Sequence, residues 1–275
     1  APTDALFGGE ALDDLDLGNV DLGRLHRGSV QPESGRAAYE ALERAISLAQ
    51  SGAIQAVVTA PLNKEALNLA GYHYAGHTEI LAGLTGTPRV TMMLVAGGFR
   101  VSHVSTHCSL RQAIDRVRTR RVLEVIELTE VALTEMGIAK PRIAVAGLNP
   151  HSGEGGLFGD EETQEIIPAI EMARAKGLDV HPVPVPPDTV FYAMAQNRTY
   201  DAVVAMYHDQ GHIPTKLIGF AEGVNITLGL PIIRTSVDHG TNFGKAGKGT
   251  AYATSLICAI NAATELARHR DAPRS

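Results

Sequence analysis

Short apolar runs alternate with amphipathic helical patterns along most of this chain. The helical patterns end at glycines such as Gly52 and Gly137, and the apolar runs have the length of buried strands. This alternation is typical of an α/β fold with a mostly parallel sheet. The patterns predict helices over residues 34–49, 65–69, 78–84, 119–136, 161–176, 189–197 and 250–268. They predict strands over residues 53–59, 90–95, 100–105, 142–147, 180–185, 202–206 and 223–227, of which the second and third form a hairpin.

Three of the apolar runs lead into a histidine: His107, His151 and His208. Because ligands of α/β proteins bind at the carboxyl ends of parallel strands, three imidazoles at three such ends are candidates to converge on one point. Three protein ligands and one open position are the catalytic arrangement of zinc, and neutral imidazole suits other divalent transition metals too. A single histidine more often has a structural role, so the metal hypothesis depends on the three together.

Charge, hydropathy and cysteine content argue against several kinds of partner. The net charge of −6 provides no basic field for nucleic acid. No apolar stretch reaches the roughly 20 residues that a membrane span requires, and the acidic, polar start does not resemble a signal peptide. Cys108 and Cys258 match no metal-binding spacing. We therefore expect a protein of the reduced, cytoplasmic compartment that binds neither nucleic acid nor a membrane.

Polar residues suited to anion binding lie downstream of the third histidine. Asp209 directly follows His208 and is placed to orient its imidazole. Lysine and arginine near a metal suit phosphate or carboxylate, although each alone is more often ordinary surface charge. The candidates are Lys216, Asn225 and Arg234.

Two loops that open helices are further candidates. Thr78 is either a plain N-cap or, together with His77, part of a phosphate site at a helix N-terminus. The glycine-bearing loop 237–250 precedes the last helix. It lacks the G-x-G-x-x-G dinucleotide motif, yet a cofactor can still lie on it.

Taken together, these motifs resemble the 4-hydroxythreonine-4-phosphate dehydrogenase family, whose fold is similar to that of the isocitrate and isopropylmalate dehydrogenases. The resemblance extends from about Ser34 to the C-terminal helix, and residues 239–249 look like the adenine-side cofactor loop of the isopropylmalate dehydrogenases. It is carried by Gly76-His77-Thr78-Glu79, Thr106-His107, Asn149-Pro150-His151-Ser152-Gly153-Glu154, Tyr207-His208-Asp209-Gln210-Gly211, and the segments 223–231 and 234–241.

The resemblance implies a metal-dependent, NAD- or NADP-linked oxidation of a secondary alcohol on a phosphorylated hydroxy acid, followed by decarboxylation. It implies that a divalent metal, zinc before magnesium, cobalt or manganese, is bound by His107, His151 and His208, in a homodimer whose metal site is built from both subunits. It assigns the cofactor to a loop containing His239, Gly240 and Gly247.

The resemblance also implies the residues that contact the substrate. Lys216 is the candidate for proton transfer, and Asp209 is the candidate that orients a metal ligand. The implied substrate contacts are His77, Thr78, Lys216, Asn225 and Arg234.

Two domains are expected from this resemblance: a cofactor-side domain of residues 1–69 plus 235–275, and a metal, substrate and dimerisation domain of residues 70–234. Family members begin with a strand and a Gly-Asp-Pro-x-Gly-Ile-Gly-Pro-Glu loop, for which this chain has no match. We therefore expect the N-terminal strand segment to be missing. Residues 13–22 alternate polar and apolar side chains, which predicts an edge strand or an extended surface segment.

Three other functions stay open at this point. Residues 84–87 and 103–107 look at least as much like a sister branch that oxidises threonate or erythronate 4-phosphate. A chain without the N-terminal segment can instead bind metal and phosphate without catalysis. A metallohydrolase can use the same three histidines to activate water, although the loop after His239 argues against that function.

Overall fold

The computed structural model describes residues 13–74 and 76–271, and over these residues seven strands form one sheet that is packed against helices. The strands are Ala56–Thr59 (β1), Thr91–Ala96 (β2), Phe99–His103 (β3), Ile143–Val145 (β4), Ala202–Ala205 (β5), Val224–Leu228 (β6) and Ile233–Val237 (β7). The helices are Pro32–Gln50 (α1), Lys64–Leu69 (α2), His77–Thr85 (α3), Leu110–Arg116 (α4), Thr119–Glu135 (α5), Ile167–Ala175 (α6), Pro187–Asn197 (α7), His208–Gly219 (α8) and Thr254–Asp271 (α9).

The sheet has the strand order β1-β7-β6-β2-β3-β5-β4. Parallel pairs lie at its two sides, where β1 pairs with β7 and β5 pairs with both β3 and β4. Antiparallel pairs occupy the centre, including the predicted β2–β3 hairpin. The expected α/β architecture, with helices packed against one sheet that contains parallel pairs, is confirmed.

Helices cover both faces of the sheet, which explains why its strands are so apolar. All four residues of β5 are buried, as expected for a strand covered on both sides. One core lies where α5, α6 and α9 pack on the sheet, and a second lies beneath α7 on the opposite face. A third core joins α1, α2 and α3 to β1.

Several elements differ from the sequence predictions. Residues 180–185 were predicted to be a strand but form only two isolated bridges, Val180 with Ile143 and Val185 with Ala146. Three elements were not predicted: α4, α8 and β7. The first residues of α8 are polar and show no helical pattern of apolar residues; Tyr207 is the N-cap and the helix begins at His208. Residues 13–22 form no strand and are mostly exposed, so the edge-strand alternative is wrong.

The predicted division into two domains stays a prediction, and residues 1–12 of the first domain lie outside the described residues. Among the helices described, none is both long and apolar enough to cross a membrane.

Candidate active site

A cleft of about 860 Å³ brings together nine of the twelve residues predicted to form the site. These nine come from segments far apart in sequence, from α3 through the loop after β7. They are His77, Thr78, His107, His208, Lys216, Asn225, Arg234, His239 and Gly240. Three predicted residues are not among the cleft residues: Asp209, Gly247 and His151.

Arg234 forms a buried cationic floor of the cleft. It lies on β7, is 2% exposed, and donates hydrogen bonds to Thr227 Oγ1 at 3.0 Å and Thr59 Oγ1 at 2.7 Å. Burial lowers the pKa of Arg234 to about 10, so the guanidinium is still charged at neutral pH. Among the described residues no carboxylate pairs with it, and its Nε has no hydrogen-bond partner. A buried cation in this state is stabilised by an anionic ligand.

His77 and Thr78 lie at the amino end of α3, next to this floor. The predicted N-cap at Thr78 is wrong: Gly76 is the N-cap, so Thr78 is already in the first turn. Helix N-termini attract anions because their first N–H groups are unpaired. Burial, and secondarily the charge of Arg234, lowers the pKa of His77 to about 3, so this imidazole is neutral.

Lys216 and Asp238 form an ion pair at another wall of the cleft. Lys216 Nζ lies 3.0 Å from both carboxylate oxygens of Asp238 and 3.1 Å from its carbonyl oxygen. The Asp238 side chain is 9% exposed and that of Lys216 is 35% exposed. Asn225 lies opposite Ser236 across the β6–β7 pair, and its buried Oδ1 has no hydrogen-bond partner among the described residues.

Two of the three predicted metal ligands face each other. β3 and β5 are parallel neighbours, so the residues after their carboxyl ends meet, and the ring centroids of His107 and His208 are 5.9 Å apart. His208 Nδ1 lies 2.6 Å from Asp209 Oδ1, as predicted for a carboxylate that orients the imidazole. Burial, together with the charges of Lys64 and His208, lowers the pKa of His107.

His151 does not join these two histidines within one chain. It follows β4, the strand at the edge of the sheet, and it is exposed on a turn outside the cleft. Over residues 13–74 and 76–271, no group of three or more His, Cys, Asp or Glu side chains is arranged to hold a metal ion. The prediction that three imidazoles converge is therefore not met by a single subunit.

Two further histidines line the cleft and were not predicted. The His212 ring stacks on that of His208 at 3.6 Å between centroids, and its Nδ1 donates to the His208 carbonyl oxygen at 2.9 Å. Burial and the nearby His208 lower the pKa of His212 to about 4. His103 lies 4.7 Å from the His212 ring and packs against Gly211, where a Cβ would come within 2.3 Å of its Nε2.

The predicted cofactor loop contributes only its first residues to the cleft. His239 and Gly240 line the cleft, and His239 Nδ1 lies 3.0 Å from the Gly240 carbonyl oxygen. Gly247 lies further along the loop, beside Arg27. In the same loop the Lys245 ammonium lies 4.4 Å from the Tyr252 ring centroid.

Asp238 and His212 are the clearest additions to the sequence-based site. The signal for His212 was its spacing of four residues from His208, which places both on one face of a helix, but α8 itself was not predicted. Asp238 had no local signal, because its partner Lys216 lies 22 residues away and on another element.

The chain is similar in sequence to known dehydrogenases. Residues 5–263 match the family model described as pyridoxal phosphate biosynthetic protein PdxA. The D-threonate 4-phosphate dehydrogenase of Salmonella typhimurium is 56% identical over 243 residues, covering 88% of this chain and 74% of the relative. The 4-hydroxythreonine-4-phosphate dehydrogenase of Beijerinckia indica is 53% identical over 239 residues, covering 87% and 70%.

A solved structure agrees with these matches. The crystal structure of a 4-hydroxythreonine-4-phosphate dehydrogenase from Klebsiella pneumoniae superposes with a TM-score of 0.82 at 51% identity. The superposition covers 89% of this chain and 74% of that chain. From the family match, the identities and the shared fold, the chain belongs to the family of the pyridoxal phosphate biosynthetic protein PdxA, and it is an enzyme of the dehydrogenase class.

Proposed function

We propose that this chain is an NAD- or NADP-linked, metal-dependent dehydrogenase that oxidises and decarboxylates a phosphorylated hydroxy acid. Its relatives are named for D-threonate 4-phosphate and 4-hydroxythreonine 4-phosphate, which belong to this substrate class. We favour D-threonate 4-phosphate, because residues 84–87 and 103–107 resemble that branch at least as much as the other and because relatives named for it reach 56% identity.

The buried Arg234 is the observation that carries the proposal. A guanidinium with two threonine hydroxyls and no carboxylate partner among the described residues is a site prepared for an anion. Arginine binds carboxylate or phosphate through two parallel hydrogen bonds, and the strength of such bonds rises in a buried site. A substrate that carries both a phosphate and a carboxylate supplies the missing negative charge.

The groups around Arg234 suit the rest of such a substrate. His77 is neutral, so it contributes hydrogen bonds and no charge to the anion site. Thr78 provides a hydroxyl in the first turn of α3. The buried Asn225 Oδ1 is an acceptor without a partner among the described residues, and it fits a substrate hydroxyl.

The imidazoles of His107 and His208 suit a divalent metal. The lowered pKa of His107 keeps it neutral, as a metal ligand must be. The contact of Asp209 with His208 Nδ1 leaves Nε2 as the nitrogen available for ligation. When bound, a metal such as zinc supplies Lewis acidity at the alcohol oxygen and at the ketone oxygen formed from it.

The third ligand in this proposal is His151 of a second subunit. His107 and His208 come from one cleft, whereas His151 is exposed outside it. A symmetric dimer can bring the His151 turn of each subunit to the cleft of the other. Zinc with three protein ligands keeps one position open for substrate, which is the arrangement of catalytic sites.

Lys216 is the proposed proton-transfer group. Oxidation of the secondary alcohol gives a β-keto acid, which loses carbon dioxide and leaves an enolate carbon that needs a proton. Lys216 Nζ carries protons, faces the cleft, and is held by Asp238 at 3.0 Å. A bound nicotinamide cofactor would supply the hydride acceptor, and His239 and Gly240 are the residues proposed to hold it.

Turnover with defined substrates tests this function. The purified chain is supplied with zinc, NAD or NADP, and either D-threonate 4-phosphate or 4-hydroxythreonine 4-phosphate, while reduced nicotinamide and carbon dioxide are measured. We expect both products, with the higher kcat/KM for D-threonate 4-phosphate. Hydrolysis of phosphate without reduction of the nicotinamide would instead indicate a metallohydrolase, and binding of both ligands without turnover would indicate a non-catalytic protein.

A further inference from the structure

The turn that carries His151 has a left-handed backbone over several consecutive residues. His151, Ser152 and Glu154 have φ angles of 52°, 54° and 44°, and Gly153 and Gly155 between and after them have φ angles of 81° and 66°. Left-handed backbone is unfavourable for residues with a Cβ and normally occurs in single residues. Over the described residues, one other non-glycine residue, Arg198, has a positive φ. Surrounding contacts must therefore hold this turn in place.

A buried carboxylate makes those contacts. Glu162 is 1% exposed, and its Oε1 accepts hydrogen bonds from the backbone N–H groups of Leu148 and Asn149, both at 2.7 Å. Its Oε2 accepts a third hydrogen bond from Asn149 Nδ2 at 2.9 Å. These three bonds fix the residues immediately before the turn.

The same carboxylate also packs under the middle of the turn. A Cβ placed on Gly153 would lie 2.8 Å from Glu162 Oε2, so only glycine fits the combination of this approach and this φ. The backbone N–H of Ser152 donates to the Asn149 carbonyl oxygen at 3.1 Å, which links the fixed residue to the turn itself. Glu162 thus fixes the residues before the left-handed segment and packs against Gly153 in its middle.

The His151 side chain depends on this backbone for its direction. Its imidazole has no hydrogen-bond partner among the described residues, and its neighbouring ring is Phe158, at 6.2 Å between centroids. A ligand imidazole is normally oriented by a hydrogen bond from its second nitrogen, as His208 is by Asp209. For His151, the direction of the side chain is instead set by the backbone conformation of the turn.

Glu162 itself is placed by a turn of π-helix. Residues Glu162–Ile166 form this π-helical turn directly before α6. Three residues after Glu162, the Glu165 carboxylate binds the amino end of α5 instead, accepting from the Thr119 N–H at 2.6 Å. Such π-helical turns are frequent at functional sites.

We propose that Glu162 is a positioning residue for His151, holding the left-handed turn so that this imidazole reaches a metal in the cleft of a second subunit. The proposal rests on the proposed function, in which His151 is the third metal ligand. It extends that function by naming Glu162 as the residue that fixes the backbone on which His151 is placed.

Zinc affinity of the full chain, measured by competition with a chromophoric chelator, tests the proposal. We expect Glu162→Ala to weaken zinc binding about 10- to 100-fold, the usual effect of losing an outer-shell partner of a metal ligand. Glu162→Gln retains an acceptor for the two backbone N–H groups and should weaken binding less. Glu165→Ala, on the same π-helical turn, is the matched control: it should lower the unfolding temperature and leave zinc affinity at the wild-type value.

The outcomes separate this proposal from the proposed function. His151→Ala is measured in parallel. If His151→Ala weakens zinc binding and folded Glu162→Ala does not, the positioning role is wrong and the ligand set stands. If His151→Ala itself retains wild-type affinity, the ligand set is wrong. Should Glu162→Ala fail to fold, Glu162→Asp gives the test, because the shorter side chain withdraws the carboxylate from the Leu148 and Asn149 N–H groups and should weaken zinc binding; unchanged affinity in a folded Glu162→Asp overturns the proposal.

Discussion

Both carboxylate oxygens of Asp238 lie 3.0 Å from the ammonium nitrogen of Lys216, and the aspartate is the more deeply buried partner. The pair joins α8 to the residue that follows β7. It therefore fixes the Lys216 ammonium at the wall of the cleft, where a free lysine side chain would have many conformations.

Asp238→Asn should lower kcat/KM for the phosphorylated substrate about tenfold or more, equivalent to at least ~1.4 kcal/mol of transition-state stabilisation. The amide keeps the shape of the side chain and removes the charge that holds Lys216 Nζ. Steady-state kinetics measure the loss. Glu222→Gln, at an exposed acid in the turn before β6, is the control and should not change the kinetics. Wild-type kcat/KM in Asp238→Asn would exclude this role of the ion pair.

Arg234→Lys should raise KM about 100-fold, which corresponds to ~3 kcal/mol of lost binding. Lysine keeps the charge but cannot make two parallel hydrogen bonds to an anion while bonding Thr59 and Thr227. Substrate titration of initial rates checks the prediction. Arg44→Lys, on the exposed face of α1, should leave KM unchanged. An unchanged KM in Arg234→Lys would mean that the anion binds elsewhere.

His77 should stay neutral down to about pH 4, since its folded pKa is about 3. The unfolded value is about 6.5, so the unfolded state binds the proton first. The contribution of His77 to stability is therefore full above about pH 6.5 and declines as pH falls toward the folded pKa. NMR titration of the imidazole measures the pKa directly, and His77→Gln should flatten the pH dependence of the unfolding free energy in this interval. A titration midpoint near 6.5 would contradict the burial of His77.

Glu165 should stabilise the fold while its carboxylate is ionised and should lose this effect at low pH. The backbone N–H of Thr119, then its hydroxyl, lower the pKa of Glu165, although partial burial opposes the shift. A lowered folded pKa gives stability that is full above the unfolded value of about 4.3 and is lost as pH falls through the folded value. Glu165→Gln should cost about 1 kcal/mol at pH 7, as for a lost helix cap.

Urea unfolding of wild type and Glu165→Gln from pH 7 to pH 3 measures this difference. The two curves should converge at low pH, where both side chains are uncharged. A difference that stays constant over the whole range would show that the charge of Glu165 contributes nothing.

The sequence predicted the helices and strands whose pattern is local, and failed where distant residues decide the structure. β5 and α5 have strong periodicity and were predicted almost to the residue. β7 was missed, because Ile233–Val237 has polar residues whose burial depends on pairing with β1 and β6. The first residues of α8 are polar because they line the cleft, and their sequence therefore lacks the apolar periodicity that predicts a helix.

The sequence predicted which residues belong to the candidate site but not how the fold places them relative to one another. Sequence motifs identified His107 and His208, and parallel pairing of β3 with β5 brings them together. The same motifs grouped His151 with them, but no local pattern reveals that β4 lies at the sheet edge or that the His151 turn is left-handed. That information lies in strand order and in the buried Glu162, both of which depend on the whole fold.

The central claim is that each metal site takes His107 and His208 from one subunit and His151 from the other. Mixed dimers of His151→Ala and His208→Ala chains, made by co-expression with different tags, test it most directly through their zinc content. Each parent homodimer should bind no zinc at the site. Each mixed dimer has one complete site out of two, so mixed dimers purified through both tags should bind about half of the wild-type zinc. Mixed dimers that bind no more zinc than their parents would contradict the claim.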